Sequence, residues 1–135
     1  MRRVVVGQPV VDWVAQKTDA EFGPSVGFGV ERDGELVAGV VFCAYNKASM
    51  FIHVASDGSR QWVSKELLKA VFDYAFRQVG VKVLIGTVPE SNKDAQRFDE
   101  HVGFVRTSTI PAGHPEGDLY IYTMTREQCR WVKHE

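Results

Sequence analysis

The chain has no long apolar run, no surplus of charge and almost no cysteine, and each shortage closes a class of function. Its two cysteines, Cys43 inside an apolar run and Cys129 near the end, supply neither metal-ligand spacing nor a disulfide framework. A reducing, cytoplasmic setting is therefore expected. The 16 basic and 17 acidic residues give a formal charge of -1, which argues against a global nucleic-acid magnet. Gly7, Gln8, Pro9 and Asp12 interrupt the N-terminal valines before they resemble a signal segment, and no stretch approaches the ~20 apolar residues of a membrane span. The sequence contains no G-x-S-x-G, H-E-x-x-H, C-x-x-C or G-x-x-x-x-G-K, so hydrolase and nucleotide triphosphatase chemistry lack their motifs.

At 135 residues with 44% hydrophobic content, the chain suits one domain, residues 1–135, with a real core. "RRVVVGQ" reads as a short first strand and "PVVDWVAQKT" as a helix with Pro9 in its first turn. Two apolar runs flank "ERDGE", where Asp33-Gly34 signals a hairpin; "SMFIHVAS" extends the meander by a third strand. Val63, Leu67, Leu68, Val71, Phe72, Ala75, Phe76 and Val79 recur at helical spacing until Gly80. "VKVLIGTV" has the length and continuous apolarity of a buried strand. A helix is expected from Ser91, capped in a box with Asp94 and carrying Ala95, Phe98 and Val102 on one face up to Gly103. "FVRTSTI" and "DLYIYTMT" read as strands around a "PAGHPEG" loop, and Thr125 with Gln128 predicts a cap for a terminal helix "REQCRWV". The order implies α+β architecture with a mixed, mostly antiparallel central sheet flanked by helices. The strand-helix-strand step over residues 50 to 88 predicts a crossover between parallel neighbours.

One local feature asks for a ligand. Arg60 and Lys65 sit around the start of the main helix, where the positive end of the dipole disfavours cations by roughly 0.3–1 kcal/mol each. A bound anion would offset that cost; Asp57 and Glu66 offer a plainer compensation. Asn92 either contacts a ligand or serves only the first turn of its helix.

Three stretches, "FCAYNKASMFIHVASDGSRQWVSKELLKAVFDYAF", "VKVLIGTVPESNKDAQRF" and "RFDEHVGFVRTSTI", resemble the GNAT (GCN5-related N-acetyltransferase) superfamily from about residue 26 to residue 124. The likeness is to its ribosomal-protein and amino-acid acetyltransferase-like branch and to short phage-type members. Asn92, Ala95, Gly103 and Phe104 carry its most specific spacing. The resemblance implies acetyl-CoA as co-substrate, transfer of the acetyl group to a primary amine of a small molecule or protein, and no metal. It implies that backbone groups of His53, Val54 and Ala55 hold the pantetheine arm and that Ser59, Arg60, Gln61, Trp62, Val63, Ser64 and Lys65 cradle the pyrophosphate, with Asn92 contacting the arm. Ser59, Trp62 and Ser64 stand where the family loop usually carries glycines or alanine. Asp99 stands where many members carry a tyrosine acid, so by resemblance the thiolate leaves unassisted or is protonated by another group.

Among side chains, His53 is the candidate general base, since imidazole titrates near neutral pH; its bland alternative is a packed strand residue. Asp57, Tyr45 and Asp99 are weaker candidates. "GHPEGD" offers His114, Glu116 and Asp118 without metal-ligand spacing. The rival function is a catalytically weak or inactive GNAT-fold protein that modulates a host protein partner. Nucleic-acid binding would need Arg2, Arg3, Arg60, Lys65 and Arg126 on one surface, and a homodimer would pair "DLYIYTMT" at a sheet edge.

Overall fold

The computed structural model describes residues 2–58 and 63–133. In chain order these form β1 (Arg2–Val6), α1 (Gln8–Thr18), β2 (Ser25–Arg32), β3 (Glu35–Cys43), β4 (Ser49–Ser56), α2 (Lys65–Asp73) with a π-helical continuation (Tyr74–Val79), β5 (Val83–Pro89), α3 (Lys93–Val102), β6 (Val105–His114) and β7 (Gly117–Thr125). One seven-stranded sheet runs β1-β2-β3-β4-β5-β7-β6. Every neighbouring pair is antiparallel except β4 with β5. The mixed, mostly antiparallel sheet flanked by helices is the class the sequence implies.

Local chemistry sets most of these elements. Asp33 and Gly34 adopt φ of 53° and 84°, the left-handed pair that joins β2 to β3 with the twist of the strands. The helical stripe Leu67, Leu68, Val71, Phe72, Ala75 and Phe76 buries against Leu84, Phe104, Tyr122 and Met124 to form the larger core. Within it the helix widens to π geometry, with Gly80 N–H reaching Ala75 O as the chain turns out at φ 86°. Across the sheet, Val10, Val11 and Val14 of α1 close a smaller core with Val41. A Cβ at Gly39 would lie 2.5 Å from Val14 Cγ2, so this glycine lets the helix rest on the sheet. Among the described residues no helix is long and apolar enough to cross a membrane.

Four sequence expectations are corrected. Residues 126–132 form turns, although Thr125 N–H donates to Gln128 Oε1 at 2.9 Å and Gln128 N–H to Thr125 Oγ1 at 3.2 Å as the box requires. Cys129 and Val132 bury in the core, while Trp131 Nε1 donates to Val102 O at 2.8 Å; docking against α3 outweighs helix continuation. The "PAGHPEG" segment is not all loop, because β6 runs on to His114 through an irregular register with β7, and Ala112 N–H donates to Asp118 Oδ1. The cap of α3 is Asn92, whose side chain accepts from Ala95 N–H at 3.1 Å, rather than Ser91. Finally, β7 lies between β5 and β6, so both its flanks are taken and it offers no edge for a second copy.

Candidate active site

The parallel neighbours β4 and β5 part company after three residue pairs, Ser49 with Val83, Met50 with Leu84 and Phe51 with Ile85. Beyond them β4 continues on β3 as far as Ser56, and β5 continues on β7 as far as Pro89. Among the described residues, Ile52 to Ser56 therefore have no strand on one flank, and Gly86 to Pro89 have none on the facing flank. Backbone N–H and C=O groups bordering such a gap need partners, and an extended ligand arm can supply them as an added strand. His53, Val54 and Ala55 all fall in this segment.

Strand alternation sorts the side chains at the gap. Ile52 and Val54 pack on the larger core, whereas Ala55 packs on the α1 cluster. His53 turns to the α1 side, its ring 4.7 Å from that of Phe22 and tilted by 36°. Burial there lowers its pKa below the usual 6.5, so the imidazole is neutral at neutral pH and its lone pair is free to accept a proton. Among the described residues nothing hydrogen-bonds that ring.

The other face carries a carboxyl that the sequence reading ranked low. Asp99 of α3 points toward Gly86: a Cβ built there would lie 3.7 Å from Asp99 Oδ2 and 3.8 Å from Ile52 Cγ2. Gly86 is the first residue of β5 past the last pair with β4. Burial, reinforced by the neighbouring Glu100 charge, raises the Asp99 pKa to about 7. Glu100 itself accepts a 2.8 Å hydrogen bond from the Tyr122 hydroxyl, whose pKa is pushed up to about 12 by burial and by that bond. A signal for Asp99 did exist: it falls on the stripe of Ala95, Phe98 and Val102 that faces the core.

The remaining candidates divide between the two ends of the sheet. Ser64 is the extended N-cap of α2 and its Oγ accepts from Leu67 N–H at 3.1 Å, leaving the N–H groups of Lys65 and Glu66 outside the helical ladder. Val63 packs on the larger core. Lys65 lines a concavity of about 260 Å³ with Arg2, Arg3, Val4, Val30, Ser64 and Glu66, at the end of the sheet where β4 finishes. Ser59, Arg60, Gln61 and Trp62 lie outside the described residues. Arg126 is at the opposite end, its N–H bonded to Lys82 O, apart from the concavity that Arg2, Arg3 and Lys65 share. Tyr45 is also remote, lining a separate 350 Å³ apolar hollow with Phe42, Cys43 and Tyr74. Asp57 follows β4 with its N–H on Val37 O. His114 Nδ1 accepts from Glu116 N–H and Asp118 from Ala112 N–H, so both side chains serve the β6–β7 hairpin.

Comparison with known proteins agrees with this architecture. The family model described as Acetyltransferase (GNAT) family matches residues 7–123. No curated protein matches significantly by sequence. Among solved structures, the chain superposes on the spermidine/spermine N-acetyltransferase SpeG from Vibrio cholerae with TM-score 0.76 and 12% identity, covering 94% of this chain and 96% of that one. The ribosomal-protein-S18-alanine N-acetyltransferase from Escherichia coli gives TM-score 0.72 and 17% identity over 93% and 94% of the two chains. Ard1 from Thermoplasma volcanium gives 0.69 and 20% over 92% and 97%.

Proposed function

The chain belongs to the acetyltransferase (GNAT) family, and from that premise we propose that it transfers an acetyl group from acetyl-CoA to a primary amine of a small molecule or protein. The observation that carries this reading is the gap between β4 and β5, with α2 starting at the end of the sheet where β4 stops. The residues present fit the co-substrate. The backbone of His53, Val54 and Ala55 borders the gap and would receive the pantetheine arm, while the α2 N-terminus with Lys65 suits a pyrophosphate. Arg60 and the rest of the loop from Ser59 to Ser64 complete that cradle in this proposal. When bound, acetyl-CoA supplies the activated thioester.

The chain's own groups then have three tasks. N–H groups along the open flank of β4 donate to the carbonyl oxygen, where charge builds during amine attack. His53, neutral and on the α1 face, accepts the proton lost by the amine, directly or through water. The walls of the gap hold amine and thioester together, which converts an encounter between two solutes into a local reaction. No covalent enzyme intermediate is required.

Native mass spectrometry and calorimetry with acetyl-CoA, followed by thiol release across a panel of amines, test the proposal. One equivalent should bind, thiol release should depend on an amine, and Arg60→Glu combined with Lys65→Glu should abolish both. Failure to bind acetyl-CoA overturns the enzyme reading and favours a GNAT-fold protein that acts by contacting a partner.

A further inference from the structure

Helix α1 covers one side of its face of the sheet and stops at the gap. The cluster it closes takes in Val41 of β3 and Ala55 of β4 and, among the described residues, nothing from β5, β6 or β7. Strand alternation fixes what the uncovered side presents. Leu84 and Val88 of β5 and Tyr122 and Met124 of β7 enter the larger core, so Ile85 and Thr87 with Ile121 and Thr123 face the other way. Cross-strand pairing adds Val105 and Ile110 of β6, which are 48% and 44% exposed. No charged side chain stands on this face of β5, or of β7 from Leu119 to Thr125. Arg106 of β6 pairs with Tyr122 and turns to the opposite face, its guanidinium 4.2 Å from the Tyr120 ring. At the far rim, Glu90 accepts the Asp118 N–H and Asp118 the Ala112 N–H. Asp19 and Glu21 stand in the exposed loop ahead of Phe22.

This open face is continuous with the gap. Ile85 is the last residue of β5 paired with β4, and Thr87 lies on the flank that borders the opening. His53 stands at the boundary between the covered and uncovered sides, its ring against Phe22. We propose that the uncovered face of β5, β7 and β6 seats the acceptor, and that the acceptor is a monoamine carried on an uncharged, apolar body, an alkylamine or arylalkylamine. This rests on the N-acetyl transfer reading above and names its substrate class. The body lies over Ile121 and Thr123 and the nitrogen reaches the gap beside His53. As the nitrogen bonds to the carbonyl carbon, the carbon–sulfur bond breaks, the sulfur leaves with the electron pair, and the amine proton goes to His53 or water.

The chemistry of the face separates this occupant from its competitors. A polyamine or basic peptide would bring a second cation onto side chains that offer no carboxylate, losing hydration without a partner. A peptide body also carries N–H and C=O groups that need partners, and β7, with a strand on each side, has no free backbone to give. A second copy laid on the face would close the mouth of the gap. An apolar body meets none of these costs and removes Ile121, Val105 and Ile110 from water as it binds.

The test measures kcat/KM of the full chain with acetyl-CoA for n-butylamine, n-pentylamine, n-hexylamine and 2-phenylethylamine, for spermidine, and for a tripeptide with a free N-terminus and uncharged side chains. Each added methylene from butyl to hexyl should raise kcat/KM about four-fold. 2-Phenylethylamine should exceed spermidine and the tripeptide by about ten-fold or more. Thr123→Asp places a carboxylate on the face and should reverse the order of 2-phenylethylamine and spermidine, with acetyl-CoA affinity by calorimetry unchanged. The substrate class is overturned, and N-acetyl transfer left standing, by wild-type preference for spermidine or the tripeptide, by rates flat with alkyl length, or by an unchanged order in Thr123→Asp. A dimer in analytical ultracentrifugation that Ile110→Lys dissociates gives the face to a second copy and also overturns it. Protein that binds no acetyl-CoA, or binds it and releases no thiol with any amine, overturns both readings.

Discussion

Among the described residues, each face of the sheet at the gap holds a titratable group whose pKa is shifted by burial, and the two shifts have opposite sign. On the α1 face His53 loses affinity for its proton; on the α3 face Asp99 gains it. In water the imidazole would be the weaker acid by more than two pKa units. Here the order is reversed, with Asp99 at about 7 and His53 below 6.5. Both groups are thereby neutral at the same pH, one able to accept a proton and the other able to give one. Desolvation is the sole cause for His53 and the larger one for Asp99, where the neighbouring Glu100 charge adds to it.

The faces also differ in how their glycines are used, and this sets the largest expected effect. Gly39 is packed: its absent Cβ would lie 2.5 Å from Val14 Cγ2 and 3.0 Å from Val10 Cγ1. Gly39→Ala should push α1 off the sheet and cost about 3 kcal/mol, the upper end for overpacking, read as a shift in the denaturant midpoint. Gly86 is open, with its nearest neighbours at ordinary contact distance. Gly86→Ala should leave stability within about 0.5 kcal/mol of wild type. Equal losses at the two glycines would break the contrast.

Next in size is the α1 face as a proton acceptor. His53→Gln should lower kcat/KM about 100-fold, or roughly 2.7 kcal/mol of barrier. The wild-type pH profile should lose activity as pH drops through the His53 pKa, below 6.5, because the imidazole charges. His53→Gln should erase that acidic limb. An acidic limb that survives would make His53 a packed strand residue with Phe22.

Asp99 should also be visible in stability. Its folded pKa, about 7, exceeds the unfolded value of 3.8, so folding is unpenalised below pH 4, loses stability as pH rises from about 4 to 7, and levels off above. The full difference corresponds to roughly 4 kcal/mol. Solvent reaching the partly buried carboxyl screens this, and Asp99→Asn should gain about 2 kcal/mol at pH 8 and nothing at pH 3.5. Equal gains at both pH values would mean that the substitution acts through packing instead of charge.

How much of this could be read in advance follows from how local each feature is. The Asp33-Gly34 turn, the stripe from Leu67 to Phe76 and the strand through Val88 depend on neighbours in sequence, and all three stand in the structure, the strand burying Leu84, Gly86 and Val88 in alternation. The end of the chain depends on distant partners. Thr125 and Gln128 exchange their capping bonds, but Cys129, Trp131 and Val132 are drawn to the core and to the end of α3, and no local pattern encodes that docking. The placement of β7 between β5 and β6 is likewise non-local. At the site, imidazole chemistry pointed to His53 and the family spacing to Asn92 and to the position of Asp99, whereas the raised pKa of Asp99 depends on its burial and on the neighbouring Glu100 charge.

The smallest expected effect separates two residues that resemblance assigned to ligand binding. Ser64 and Asn92 cap α2 and α3, each side-chain oxygen accepting an N–H three residues ahead, at 3.1 Å in both cases. Ser64→Ala and Asn92→Ala should therefore each cost about 1 kcal/mol of stability even without acetyl-CoA. The two should differ in binding. Ser64 fixes the start of the helix whose free N–H groups face the proposed pyrophosphate, so Ser64→Ala should weaken acetyl-CoA several-fold by loosening those donors, and Ser64→Asp should keep the cap but repel the anion. Asn92 spends its Oδ1 on Ala95 and retains only its amide N–H groups for a ligand. Asn92→Asp preserves the cap while removing those donors. Unchanged affinity in that variant would confine Asn92 to holding α3, and with it the carboxyl of Asp99, in place.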